Sequence, residues 1–168
     1  MRGRNTNVTA GLERFKDAQD RAASGFDAAL AEIRAGGKRG HWIWYVFPQL
    51  AGLGSSHNSR FYGIAGVAEA AEYLRDPVLR RRLLTITGAV AEQLRKGASL
   101  EHVMGSEIDA HKLVSSLTLF GPVARKLRAA ESRDDCQSLG DLADEILTAA
   151  EADGYARCGY TLARLAAG

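Results

Sequence analysis

The sequence predicts an all-α fold, a single compact multi-helix domain, and three observations predict it. Apolar residues recur at helical spacing over most of the chain. Helix punctuation falls where those runs begin and end, at Gly36-Gly37, Asp76-Pro77, Gly97, Ser99 and Ser106. The one stretch with strong strand propensity, residues 41–50, has no clear partner strand, and an isolated strand cannot satisfy its backbone. The length of 168 residues suits one domain, residues 1–168, with 1–8 expected to be flexible and 128–138 expected as a loop.

In chain order, Leu12, Phe15, Ala22, Phe26, Leu30 and Ile33 outline a first helical segment. Ser24-Gly25 leaves open one kinked helix or two shorter ones, and Gly36-Gly37 closes the segment. His41-Trp-Ile-Trp-Tyr-Val-Phe47 reads as a buried short helix or an extended core segment, followed by a loop from Pro48 through Ser56. Val67, Ala70, Ala71 and Leu74 mark a short helix ending near Asp76. Pro77 can open the next helix, which runs through Leu79, Leu83, Ile86, Val90 and Leu94 to Gly97. Ser99 can cap a short turn reaching Met104. Ser106 with Asp109 resembles a capping box and opens a helix through Phe120. Gly121-Pro122 is expected to interrupt it, with a further short helix to about residue 130. Leu139, Leu142, Ile146 and Leu147 make an apolar stripe within an acidic block.

Composition narrows the function classes. With 46% hydrophobic and 25% charged residues, wholesale disorder is excluded. A net charge of +2 argues against a dedicated nucleic-acid binder. No apolar run is long enough for a bilayer and the N-terminus is not a signal peptide, so a soluble, cytoplasmic protein without membrane contact is expected. Cys136 and Cys158 form neither a disulfide framework nor a CxxC pair, and both read as passive thiols. His41, His57, His102 and His111 show no metal-ligand spacing, so no metal and no cofactor is expected. Charge is nevertheless uneven: residues 1–60 hold nine Lys/Arg against five Asp/Glu, whereas residues 131–153 hold eight acids against Arg133. The acidic block reads as the solvated face of a helix rather than a tail, because of its apolar stripe.

Three stretches could carry chemistry. Gly36-Gly37-Lys38-Arg39-Gly40-His41-Trp42 joins glycines, which let amides approach a ligand, to two cations and an imidazole. On spacing alone the favoured reading is a flexible basic loop after a helix, with His41 an ordinary hydrogen-bonded residue. Gly52-Leu53-Gly54-Ser55-Ser56 offers amides and hydroxyls to a phosphate but lacks the P-loop ending and the third glycine of a dinucleotide fingerprint. Asp109, Lys112 and Ser116 form a polar stripe at i, i+3, i+7 on a helix. A lysine beside a hydroxyl resembles a Ser/Lys nucleophile, or else a local ion pair plus a hydroxyl bonded back to its own helix. Trp42, Trp44, Tyr45 and Phe47 read as core, although aromatic faces can also stack on a base or sugar.

Together these residues resemble a family. Leu12-Glu13-Arg14-Phe15 with Ala18-Gln19, Gly37 through Leu50, Gly52 through Ser56, Tyr62-Gly63-Ile64, Glu69-Ala70 with Tyr73-Leu74, and Lys112-Leu113 before Ser115 through Phe120 are similar to a small, mostly helical bacterial and fungal family of unknown function. Genome annotation commonly mislabels its members "calpastatin", a disordered inhibitor that this composition contradicts. The resemblance is dense over residues 12–120 and loose thereafter. It implies an all-α single domain, excludes a strand at 41–47, and supplies no activity. Members tend to carry an Asp three residues before a Thr near the end; this chain has Cys158 before Thr161 and is longer around residues 128–153.

The leading expectation is a binding site for an anionic, phosphate- or nucleotide-like small molecule. Lys38 and Arg39 would hold the anion, joined by Lys112, and His41 would be the general acid/base. Trp42 or Trp44 would stack on a ring. Gln49, Gly52, Gly54, Ser55, Ser56 and Ser116 would orient the ligand. An enzymatic variant is a hydrolase or transferase acting at an ADP-ribose-like N-glycosidic bond, with Glu69 or Asp109 as the acid. The alternative is a non-catalytic protein-interaction module or a homo-oligomer. A site requires His41, Gln49 and Lys112 to converge on one open pocket.

Overall fold

A computed structural model describes residues 6–168, with side chains described from Gly11 onward. Among the described residues there are ten helices and no strand. They are α1 Thr6–Gln19, α2 Phe26–Arg34, α3 Ile43–Val46, α4 His57–Phe61, α5 Val67–Arg75, α6 Pro77–Arg95, α7 Leu100–Met104, α8 Glu107–Glu131, α9 Asp134–Ala152 and α10 Gly159–Ala167. No described helix is long and apolar enough to cross a membrane. Of the segment expected to be flexible, residues 1–5 lie outside the described residues, and 6–8 belong to α1.

The first segment divides into α1 and α2 at a turn closed by Gly25. A Cβ there would collide with the Gln19 and Arg21 carbonyls, so glycine alone fits. Gln19, buried at the end of α1, donates to the Tyr45 carbonyl at 2.7 Å and to the Tyr73 hydroxyl at 3.1 Å. It thereby ties α1 to α3 and α5. α2 ends with Gly36 at φ +117°, whose left-handed backbone releases the chain into the following loop.

The aromatic segment is buried as expected, with Trp42, Ile43, Val46 and Phe47 each about 1% exposed, and it forms the single turn α3. Trp44 is only partly buried. One isolated bridge, Leu50 to Ile64, follows it. The expected caps are present. Asp76 accepts the amides of Val78 and Leu79 ahead of Pro77, Ser99 accepts that of His102, and Ser106 accepts that of Asp109.

The structure corrects two boundaries. Gly121-Pro122 does not interrupt the chain: α8 runs unbroken from Glu107 to Glu131. A proline inside a helix costs about 3 kcal/mol. Here burial outweighs that cost, since every residue from Ser116 to Gly121 is buried, so the middle of α8 is enclosed on all sides. Gly121 allows the close approach of α9 at Ala143. The loop expected over 128–138 shrinks to residues 132–133, turned by Ser132 at φ 53°. α8 is the axis of the fold; α5, α7, α9 and α10 pack around it, and α6 packs on α9 and α2.

The acidic block is the solvent-facing side of a helix, as expected, and not a tail: six of its eight acids are exposed, while Leu139, Ile146 and Leu147 of α9 are buried. Seven of its eight acids form ion pairs, mostly with arginines of neighbouring helices: Arg75 and Arg133 with Glu131, Arg80 with Asp135, Arg128 with Asp134, Arg125 with Asp141 and Asp144, Arg95 with Glu145, and Arg157 with Glu151.

Candidate functional site

The glycine-rich loop between α2 and α3 already holds an anion of its own. Glu32, near the end of α2, accepts hydrogen bonds from the amides of Arg39 and Gly40 at 2.7 and 2.9 Å and from the Trp42 indole at 2.8 Å. Burial alone would push this carboxyl up. The loop amides, the indole and the nearby Lys38 charge outweigh that and hold it below the ordinary carboxylate range. The side chains of Arg39 and His41 point outward from this knot, both residues being exposed. Nothing in the sequence marks Glu32 beyond an acid one turn before a Gly-Gly pair.

Lys38 turns inward. Its side chain is 5% exposed, pairs with Asp109 at 2.6 Å, donates to the Gly40 carbonyl and lies over the Trp42 ring. Lys112, on the same helix as Asp109, stands 3.7 Å from that carboxylate, too far for a hydrogen bond. Its ammonium instead lies 4.7 Å from the centre of the Trp44 ring. Lys38 and Lys112 therefore do converge, on one carboxylate that is committed to Lys38. Glu69, the other candidate acid, is held by Arg14 at 2.6 Å.

Lys112, Ser115 and Ser116 share one face of α8. Trp44 covers this face from α3, and the start of α10 approaches it from the other side. The Cys158 amide donates to the Thr118 hydroxyl at 3.3 Å and anchors α10 there. The Tyr160 hydroxyl donates to the Ala51 carbonyl at 3.0 Å and packs on Gly52, where a Cβ would strike it. On the three helices that meet at this seam, α3, α8 and α10, three buried polar atoms have no hydrogen-bond partner among the described residues: Trp44 Nε1, Ser116 Oγ and Thr161 Oγ1. The other two such atoms, on Thr87 and Arg128, lie on α6 and at the far end of α8. Buried polar groups are nearly always paired, so three orphans along one seam call for an explanation.

The remaining expected residues build the neighbouring loop. Gln49 donates to the Leu53 carbonyl at 3.3 Å and braces the turn. Gly52 and Gly54 adopt φ +97° and +81°, Ser55 is exposed, and Ser56 caps α4 by accepting the Ser59 amide.

His41 lies elsewhere. It lines an open cleft of about 550 Å³ with Arg21, Ser24, Gly40, Tyr45, His57, Asn58, Phe61 and Tyr62. Neither Lys38 nor Lys112 belongs to that lining, and neither does any carboxylate. Tyr45 is fixed there by donating to the Ser24 carbonyl at 2.6 Å, and His57 stacks on Phe61. Sequence reasoning singled out His41 but not Arg21, Asn58 or Tyr62, which lie too far apart in the chain to signal a common cleft. No group of three or more His, Cys, Asp or Glu among the described residues could hold a metal ion.

A family model described as "Protein of unknown function (DUF1810)" matches residues 9–134. That span holds Glu32, Lys38, Trp44, Lys112 and Ser116, and ends before Cys158 and Thr161. The crystal structure of the conserved hypothetical protein Rv1873 from Mycobacterium tuberculosis is similar in sequence and fold. It is 36% identical, has a TM-score of 0.69, and the match covers 90% of this chain and 94% of that one. No curated protein matches the chain.

Proposed function

The chain belongs to this family of unknown function, and from its own geometry we propose that it binds an anionic, ring-bearing small molecule of phosphate- or nucleotide-like chemistry along the seam of Trp44, Lys112, Ser116 and Thr161. The observation that carries this reading is the set of three orphaned buried polar atoms beside a lysine whose carboxylate partner, Asp109, stands at 3.7 Å and is shared with Lys38. Each orphan costs about 1–3 kcal/mol that a hydrogen-bonding ligand would relieve. Trp44 Nε1 can only donate, and the two hydroxyls can donate or accept. An oxyanion suits that set, and the positive Lys112 adds attraction in a partly desolvated place.

A second reading rests on the His41 cleft. Its lining sets the Arg21 side chain beside the imidazole rings of His41 and His57, among aromatic rings, which also suits an anion joined to a ring. An enzymatic role for His41 as acid/base belongs to this reading rather than to the seam.

A thermal-shift panel of inorganic phosphate, sugar phosphates and nucleotides separates the two. A ligand that binds the native state raises the unfolding midpoint by mass action. Under the seam reading Lys112→Ala abolishes the response and His41→Ala keeps it; under the cleft reading the pattern reverses. If no member of the panel shifts wild type, both are wrong.

A further inference from the structure

Cys136 and Cys158 occupy opposite surroundings. Cys136 is fully buried, and that burial pushes its thiol up. Cys158 is half-buried and stands at the N-cap of the nine-residue helix α10. Around its sulfur lie the hydroxyls of Thr161 and Ser115 and the amides of Thr161 and Tyr160. Burial alone would push this thiol up too. The two hydroxyls and two amides outweigh it and hold it below the ordinary thiol value.

Thr161 supplies a second, independent observation. It is fully buried, it lies one turn beyond Cys158 on the same helix face, and its Oγ1 has no hydrogen-bond partner among the described residues. An N-cap of Ser, Thr, Asp or Asn would bring an oxygen to this position. Cysteine brings a larger, weakly accepting sulfur, which the Thr161 hydroxyl neighbours without making a well-formed hydrogen bond. An oxygen atom placed on the sulfur would supply the acceptor for one.

We propose that Cys158 is a nucleophilic thiol site that takes hydroperoxides and holds the resulting sulfenic acid against Thr161, Ser115 and the first amides of α10. The thiolate sulfur attacks an oxygen of the hydroperoxide. An S–O bond forms and the O–O bond breaks. The leaving hydroxide or alkoxide takes a proton from solvent and departs as water or an alcohol. Sulfur is oxidised by one electron pair and the peroxide is reduced by the same pair. The inference shares the Thr161 hydroxyl with the seam reading but needs no seam ligand, and its tests contain none.

Iodoacetamide labelling followed by peptide mass spectrometry reads the nucleophile directly. At mildly acidic pH, Cys158 in the folded chain should label about tenfold faster than Cys158 in the urea-unfolded chain, while folded Cys136 stays protected. Stoichiometric hydrogen peroxide with dimedone should then yield an adduct at Cys158 and none at Cys136. Thr161→Val should reduce the dimedone adduct, and Thr161→Ser, which keeps the hydroxyl, should restore it. A folded Cys158 that labels no faster than the unfolded one overturns the proposal. So does peroxide treatment that leaves no adduct at Cys158. If Thr161→Val misfolds, the comparison of folded with unfolded wild type still decides.

Discussion

Trp42 and Trp44 stand two residues apart on the same short turn, and a lysine lies over each ring. Trp42 gives its indole N–H to Glu32, its lysine is paired at 2.6 Å, and the surrounding amides are satisfied. Trp44 gives its N–H to nothing among the described residues, and its lysine shares, at 3.7 Å, the carboxylate that Lys38 holds at 2.6 Å. The glycine-rich basic loop, which in sequence looks most like an anion site, is thus filled by the protein's own carboxylate. The quieter stripe on α8 is where polar capacity remains unused. Density of charge does not tell the two regions apart; the balance of donors and acceptors does.

The largest expected effect breaks or keeps that contrast outright. Trp42→Ala should destabilise by about 3–5 kcal/mol, because it empties a fully buried volume and strips Glu32 of a donor. Trp44→Ala should cost roughly half as much, since its ring is only partly buried and its N–H loses no bond. Urea denaturation of the two variants measures both. Equal costs would mean that the two tryptophans are interchangeable core residues.

Glu32 comes next. Glu32→Ala removes one acceptor from three donors and should cost about 2 kcal/mol, the figure being limited by solvent at a partly exposed carboxylate. Its pH dependence has a definite sign. The folded pKa lies below the ordinary value of 4.5, so the contribution is complete above that value and is lost as pH falls through the depressed one. Between neutral pH and that acid range, wild type should lose more stability than Glu32→Gln. Parallel profiles of urea midpoint against pH would show that Glu32 does not hold the loop.

Much of the fold was legible because its signals are local. Asp76-Pro77, Ser99 and Ser106 cap the helices their sequence neighbours suggest. Pro122 misleads for the same reason: its local cost is real, yet burial of the middle of α8 on every side is a tertiary term that no short window contains. The candidate site was legible in part. Trp44, Lys112 and Ser116 were visible as residue types, and the structure brings Trp44 and Lys112 together. His41 was visible too, but its cleft partners come from the α1–α2 turn and α4. The capture of the loop by Glu32 and the missing partners of Ser116 and Thr161 are properties of three-dimensional pairing, and spacing along the chain does not encode them.

The smallest expected stability effect is the most discriminating. A buried hydroxyl that has no partner has already lost its hydration, so deleting it recovers part of that cost. Ser116→Ala also places a better helix former in the middle of α8. It should therefore be neutral or stabilising, within about 1 kcal/mol. Trp44→Phe follows the same logic and removes the orphaned N–H while keeping most of the ring.

 Ser116→Ala and Trp44→Phe should both fold as well as wild type, yet both should blunt the midpoint shift given by a phosphate-bearing ligand, because each removes a group that the ligand would satisfy. Trp42→Phe makes the control: it should destabilise by about 1–2 kcal/mol through the lost bond to Glu32 and leave the ligand response intact. Denaturant midpoints and ligand-induced thermal shifts on the three variants read both quantities. If Ser116→Ala destabilises by several kcal/mol, its hydroxyl has a partner in solution and the seam is ordinary core, whatever the ligand panel shows.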